Sequence, residues 1–409
     1  MKNNNNYIKV INTRKYKDIN LYLRFSIEYK PLLKEKVALL CKLIGDISNK
    51  YPTKFEMVKA KDMLYGINLS CSYRVRANII SLSLHYSFVN PKFVDATIDE
   101  YNQFIKETLY NTIINENALL EAKRTTKSAI LRRLDKPNVK AEERFIEIVS
   151  KDNPSFSIYS ENEKFVKNID KIKLDDIIQT YRSIINNAQL NVYLCGDVTQ
   201  DEVNRLTTFN FNNRNIVKLK TPKIKCKPKK IIIDKQDLGQ SCLQMVYVTP
   251  YNKNHKDYFN WFVGNAILGA LPTSLLFMKL REELSLCYSI GSYDYKNEGL
   301  IKIVTNIDAK NKDKAIKEIK NQFEKLLTCD YDSRILEITK ALVYNSIMST
   351  YDDLDTLVNY YYESFLSNFN YSIEEYGENI LKVTVKDIAR VYKKYEHYFD
   401  YILLGTKDE

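Results

Sequence analysis

Leu21, Leu23, Phe25, Ile27 and Tyr29 sit at every second position, the period of a strand that hides one face. This half-buried strand opens an order of elements that the chain runs through twice, and its counterpart is SCLQMVYVT at 241–249. A second strand carries Ile80, Leu82, Leu84, Tyr86 and Phe88 and runs into Asn90 and Pro91, an N-cap and first-turn pair that predicts a helix start. Val94, Ile98, Tyr101, Ile105 and Leu109 supply that helix with an apolar stripe. In the second half, the strand LIKIVTNI at 300–307 precedes a helix at 312–327, and Asn102-Gln103-Phe104 recurs as Asn321-Gln322-Phe323.

Each half also closes in the same way. Asp176, Ile177, Tyr181 and Gly196 in the first correspond to Asp387, Ile388, Tyr392 and Gly405 in the second, a helix followed by a strand that ends on glycine. Two matches in the same order, at nearly the same offset, point to duplication, and the period is far too long for a solenoid. The pattern predicts an α+β protein of two homologous domains, 1–217 and 231–409, each an antiparallel-rich sheet packed with helices. Residues 218–230 are read as a lysine-rich linker between them, and two such lobes would face each other as half of a clamshell.

Composition narrows the class. With 409 residues and 44% hydrophobic content, the chain has enough apolar material for two cores. The net charge of +11 invites a nucleic-acid reading, but the densest basic tract, KLKTPKIKCKPKK at 218–230, is broken by two prolines and holds no aromatic residues for stacking. No nucleic-acid partner is assigned. Residues 258–278 are the one apolar membrane candidate, and Asn260, Asn265, Pro272, Thr273 and Ser274 weigh against a span. Seven scattered cysteines without a C-x-x-C pair fit reduced thiols, and the asparagine-rich opening MKNNNNYIKV lacks the apolar core of an export signal. A cytoplasmic protein is expected.

Catalytic signatures are sparse. The three histidines, His85, His255 and His397, have no second ligand at metal-binding helical spacing, and each reads as hydrogen-bonded or solvent-facing. There is no G-x-S-x-G elbow, Walker loop or G-x-G-x-x-G after a strand, and Asp352, Asp353 and Asp355 read as a cap or solvated surface.

The sharper signal lies at 264–290, GNAILGALPTSLLFMKLREELSLCYSI. An asparagine-bearing helix, a Leu-Gly turn, a helix ending Leu-Phe, an Arg-Glu pair and a tyrosine seven residues after the arginine follow one another there. This segment resembles the substrate-gripping segment of insulinase-like (pitrilysin, processing-peptidase type) metallopeptidases. The resemblance runs on through Leu64-Tyr65-Gly66, Gly196-Asp197, Gln240-Ser241 and the stretch Lys296 to Gly299. It implies that Arg281 and Tyr288 hydrogen-bond a peptide substrate near its scissile carbonyl, a task that suits a guanidinium and a phenol because both donate to oxygen. The alternative for the same residues is structural: Arg281 paired with Glu282 or Glu283, and Tyr288 filling the core.

Active members of that family hold zinc through H-x-x-E-H on the first long helix and a distant glutamate. The matching register here falls on Ala38-Leu39-Leu40-Cys41-Lys42, with Cys41 at the position of the base and Glu116 or Glu121 near that of the distant ligand. No metal site and no catalytic residue are therefore expected in this chain. The chain is most similar to the silent branch associated with elongation factor P modification, whose genes sit beside an active paralogue. The resemblance implies a non-catalytic, substrate-binding subunit of a heteromeric peptidase, with zinc in the partner subunit and with small modified peptides as a further possible substrate class. A scaffold that has kept the fold without handling peptides is the alternative.

Overall fold

The computed structural model describes residues 7–212 and 214–407, so the first six positions of the N-terminal reading lie outside the described residues. Ten strands form two five-stranded sheets. The first contains β1 (Tyr7–Asn12), β2 (Asp18–Glu28), β3 (Asn68–Arg76), β4 (Ile79–Val89) and β5 (Gln189–Gly196). The second contains β6 (Ile232–Gln236), β7 (Ser241–Val248), β8 (Cys287–Tyr295), β9 (Leu300–Ile307) and β10 (Glu396–Gly405). Their orders are β1-β5-β2-β4-β3 and β6-β10-β7-β9-β8, the same arrangement twice. In each, the first strand pairs parallel to the last and the remaining pairs are antiparallel.

The closing glycines have a steric cause. Gly196 has φ +148, and a Cβ there would press on the backbone of Asp18 and Ile19 at 3.2 Å; a Cβ on Gly405 would come within 2.5 Å of the Leu238 carbonyl. Both closing strands thus end where they graze the chain at or just before their antiparallel neighbour. The repeated Asn-Gln-Phe triplet lies on equivalent helices, Ile98–Tyr110 and Lys312–Thr328, with Phe104 and Phe323 buried in both.

Three expectations change. The strand β2 is buried on both faces rather than one, since Asn20, Arg24 and Ser26 are as enclosed as Leu21, Leu23 and Phe25, while Tyr29 falls beyond its end. Asn90 does cap a turn, but only the short Pro91–Phe93. The helix proper begins at Ile98, where Thr97 and Glu100 exchange reciprocal cap bonds, and so it excludes Val94. The basic tract is also more than a solvated linker. Ile224 is buried, Asn153 bonds the backbone of Lys225 in both directions, and Lys229 meets Asp152 and the Tyr398 ring.

Two compact units result. One holds the described residues to Arg133 with Glu161–Leu219; the other holds Leu134–Ser160 with everything from Lys220 onward. The second unit thus takes in a segment, 134–160, that lies inside the first half of the sequence. Its sheet is covered on both faces. Leu243, Met245 and Tyr247 of β7 face a core shared with the helices Tyr258–Asn265, Lys312–Thr328 and Val385–Tyr392. Cys242, Val246 and Val248 face Ala141, Phe145 and Val149 on the helix Pro137–Asp152. Among the described residues, no helix is long and apolar enough to cross a membrane, and residues 258–278 break into a short helix and a π-turn that ends at Ala270.

Candidate functional site

Arg281 and Tyr288 are brought together by a chain reversal in the C-terminal unit. Arg281 lies on the wide π-helical turn Phe277–Glu283, which closes with the Leu284 amide donating to the Lys279 carbonyl at 3.0 Å. Ser285 then takes a left-handed conformation, φ 49, and the Leu286 amide returns to the Leu280 carbonyl at 2.8 Å. Leu276, Leu280 and Leu286 are buried, so the apolar side of this reversal is fixed in the core. Its polar side is left outward.

The chain then enters β8, the last strand of its sheet, through a register shift between Cys287 and Ile290. Such a bulge turns side chains out of the ladder. Tyr288 is accordingly 81% exposed, so it does not fill the core. The Arg281 guanidinium lies 4.5 Å from the centre of the Phe277 ring and 5.4 Å from that of Tyr288, within range of cation–π attraction to both. Its ion pair with Glu282, at 3.5 Å, is open to solvent, while Glu283 is taken by Lys279. The neighbouring Cys287 thiol is pushed up by burial, an effect that Thr305 and the Arg281 charge partly offset.

Beside this pair lies a cavity of about 570 Å³ lined by Phe262, Asn265, Phe277, Ile290, Tyr293 and Ile347 among others. Asn265 is buried, and its carboxamide oxygen accepts no hydrogen bond; the Ser292 hydroxyl donates to its backbone carbonyl at 3.2 Å. Phe277 joins the two features: one of its rings' neighbours is the Arg281 guanidinium and it also borders the cavity. Sequence reasoning placed Phe277 in the motif without seeing that it supports the arginine. An aromatic residue four positions before an arginine was the available signal.

Residues 171–343, which include both side chains, match the family model described as the peptidase M16 inactive domain. A curated relative from Bacillus subtilis (strain 168), probable inactive metalloprotease YmfF, is 25% identical over 413 residues, covering 97% of this chain and 95% of that protein. Residues 171–343 are thus similar to an M16-type peptidase inactive domain, and the whole chain is similar to a protein named as a probable inactive metalloprotease. Solved structures agree on the fold. A conserved protein from Enterococcus faecalis V583 aligns with TM-score 0.87 at 23% identity, over 98% of this chain and 97% of that one. A peptidase M16 inactive domain from Pseudomonas fluorescens aligns with TM-score 0.76 at 13% identity, over 98% and 96%.

The stretch Ala38–Lys42, read above in the register of a zinc motif, lies on the helix Leu33–Leu43. Ala38, Leu39 and Leu40 are buried in the core, and Lys42 is exposed. Cys41 lies near Cys71 on β3, whose thiol is pushed well above its usual range by burial and then by Cys41. Glu121 is bound by Lys54 at 2.8 Å, and Glu116 stands exposed at the start of the helix Glu116–Leu134. Ala38 offers no ligand atom, the Lys42 ammonium would repel a cation and Glu121 is already held by Lys54, so the set does not fit a zinc ion. Among the described residues, no group of three or more His, Cys, Asp or Glu side chains is placed to hold a metal.

The three histidines are engaged structurally. His85 stacks on Tyr22 at 4.0 Å and bonds Asn20 at 2.8 Å; His255 accepts from the Asp257 amide at 3.0 Å; His397 bonds Asp400 at 2.7 Å.

Proposed function

We propose that this chain is the non-catalytic, substrate-binding subunit of a heteromeric zinc-dependent peptidase, in which a paralogue carries the metal and the general base. One observation carries the reading: Tyr288 and the guanidinium of Arg281 stand side by side at an open sheet edge, next to a cavity. A phenol and a guanidinium both donate hydrogen bonds to a peptide carbonyl. The name of the Bacillus relative and the mismatch between Ala38–Lys42 and a zinc ligand set support the division of roles. Peptide is the substrate class, with elongation factor P or small modified peptides as its narrower forms, and the cytoplasm is the compartment. Zinc belongs to the partner.

The test is reconstitution. The purified chain, its paralogue and their mixture are assayed on a peptide library, with Arg281→Ala as the variant. Activity in the mixture alone, lowered by the substitution while assembly persists, supports the reading; hydrolysis by this chain alone, with bound metal, overturns it.

A scaffold role is the second reading, because Arg281 already has Phe277 and Glu282 as partners within the unit. It predicts that Arg281→Ala and Tyr288→Phe leave the mixture's activity unchanged, whereas omitting the chain abolishes it.

A further inference from the structure

The cavity of about 570 Å³ beside Arg281 is bounded by three elements of the C-terminal unit. Asn265, Ala266 and Gly269 come from the helix Tyr258–Asn265 and the π-turn that continues it. Ile290, Ser292 and Asp294 alternate along β8 and so share one face of that strand. Leu342, Val343, Ser346 and Ile347 stand at spacings of three and four on the helix Ser333–Met348, which puts them on one side of it. Because β8 is the outer strand of its sheet, no further strand closes the cavity at that edge.

The polar part of the wall is engaged with itself. Asp294 has the Lys296 ammonium 4.0 Å away, the Ser292 hydroxyl donates to the Asn265 carbonyl at 3.2 Å, and the Asn265 carboxamide donates to the Ser292 carbonyl at 3.5 Å. The Asn265 carboxamide oxygen is left over, but it is shut off from solvent and offers an occupant nothing. What remains for contact is apolar: Phe262, Leu271, Phe277, Ile290, Leu342 and Ile347. Leu342 keeps 41% of its surface exposed, so apolar surface is open to water here. A charged group entering would lose hydration without gaining a counter-charge, whereas a hydrocarbon group would release water from both surfaces.

Phe277 says where that hydrocarbon group comes from. Its ring lies 4.5 Å from the Arg281 guanidinium and also borders the cavity, so a single ring separates the two. A peptide whose carbonyl is held by Arg281 therefore has a neighbouring side chain within reach of the apolar walls, since consecutive Cα atoms are only about 3.8 Å apart. The volume falls within the range of about 300–1,000 Å³ typical of ligand sites and is ample for an aromatic side chain.

We propose that this cavity takes a large, uncharged apolar side chain, aromatic above all, of the peptide that Arg281 and Tyr288 hold. The choice of a peptide as occupant rests on the reading of that pair as a grip, but the preference among side chains is measured separately. Saturation-transfer NMR on the full chain compares N-acetyl-phenylalanine amide, N-acetyl-alanine amide and N-acetyl-glutamate amide. The phenylalanine probe should bind saturably and about tenfold or more tighter than the alanine probe, as burial of a phenyl group implies, and the glutamate probe no tighter than alanine. Ser346→Trp fills the cavity from an exposed helix position, where folding is not at stake, and should erase the preference. Leu342→Asp, also at an exposed position, sets a charge on the wall and should reduce it several-fold. Arg281→Ala should weaken all three probes alike and keep their ratio. If Arg281→Ala changes none of them while the preference persists and is lost in Ser346→Trp, the grip fails and the cavity assignment stands. Equal binding of the phenylalanine and alanine probes, a preference unchanged in folded Ser346→Trp, or no saturable binding of the phenylalanine probe would overturn the proposal.

Discussion

The Arg281 guanidinium lies 5.4 Å from the centre of the Tyr288 ring although a left-handed residue, Ser285, separates the turn that bears one from the strand that bears the other. Neither side chain contributes much to the core, so function and stability separate here. Arg281→Ala and Tyr288→Ala are expected to change unfolding free energy by less than about 1 kcal/mol. In the reconstituted mixture, each should lower peptidase activity by on the order of 10²-fold if the groups donate to the reacting carbonyl. Denaturant melts of the variants, paired with the activity assay, check both halves.

In the register read for a zinc motif, the helix Leu33–Leu43 has Ala38 and Lys42 at the ligand positions and Cys41 at that of the base. The isolated chain is therefore expected to purify without stoichiometric zinc, and a chelator should leave its melting temperature unchanged. Elemental analysis and a thermal melt with and without chelator measure this.

Phe145 lies in the first half of the sequence but packs against Phe156, Tyr295 and Phe399 in the C-terminal unit. Phe145→Ala should cost about 3–5 kcal/mol. Hydrogen exchange should show the loss first in β7 and β10 rather than in β2 and β4, because the cavity opens beneath the second sheet.

A Cβ on Gly264 would lie 2.3 Å from the Tyr392 ring, with Ile388 close behind. Gly264→Ala is expected to destabilise by about 1–3 kcal/mol through overpacking. Tyr392→Phe on the same background would not relieve it, whereas Tyr392→Leu should recover part of the loss, as read by denaturant titration.

Asp257 accepts two bonds from Arg390, at 3.1 and 2.7 Å, which hold its carboxyl below the usual range despite the opposing effect of burial. A depressed carboxyl stabilises the fold above its unfolded value, about 3.9, and this contribution fades as pH falls through the folded value. The wild type should thus melt above Asp257→Asn at pH 6, and the gap should shrink below about pH 4. Paired melts across that window test the sign.

Of the interior strands, β2 and β4 were found from apolar positions at every second residue, and β7 and β9 as their apolar-rich counterparts in the second half. The four that escaped, β1, β3, β6 and β8, are the outer strands of their sheets. In YIKVIN the exposed positions include the apolar Ile8 and Val10, which hides the alternation, whereas NLSCSYRVR does alternate but escapes notice because its partly covered face carries only four apolar residues. The helix Ile98–Tyr110 was legible from its stripe, but its start was misplaced because Asn90-Pro91 is as good a local cap as Thr97-Glu100. Only packing chose between them. The motif positions Arg281 and Tyr288 were legible by resemblance; their nearness, the support from Phe277 and the cavity beside them were not.

Sequence alone determined the duplication, the α+β class and the poor fit of the first long helix to a zinc ion, because these depend on residue type and order along the chain. The tertiary structure decided what depends on distance. It gave residues 134–160 to the second unit, since a free helix buries its apolar face wherever a sheet offers one, and it set Arg281 beside Tyr288 at the edge of the second sheet.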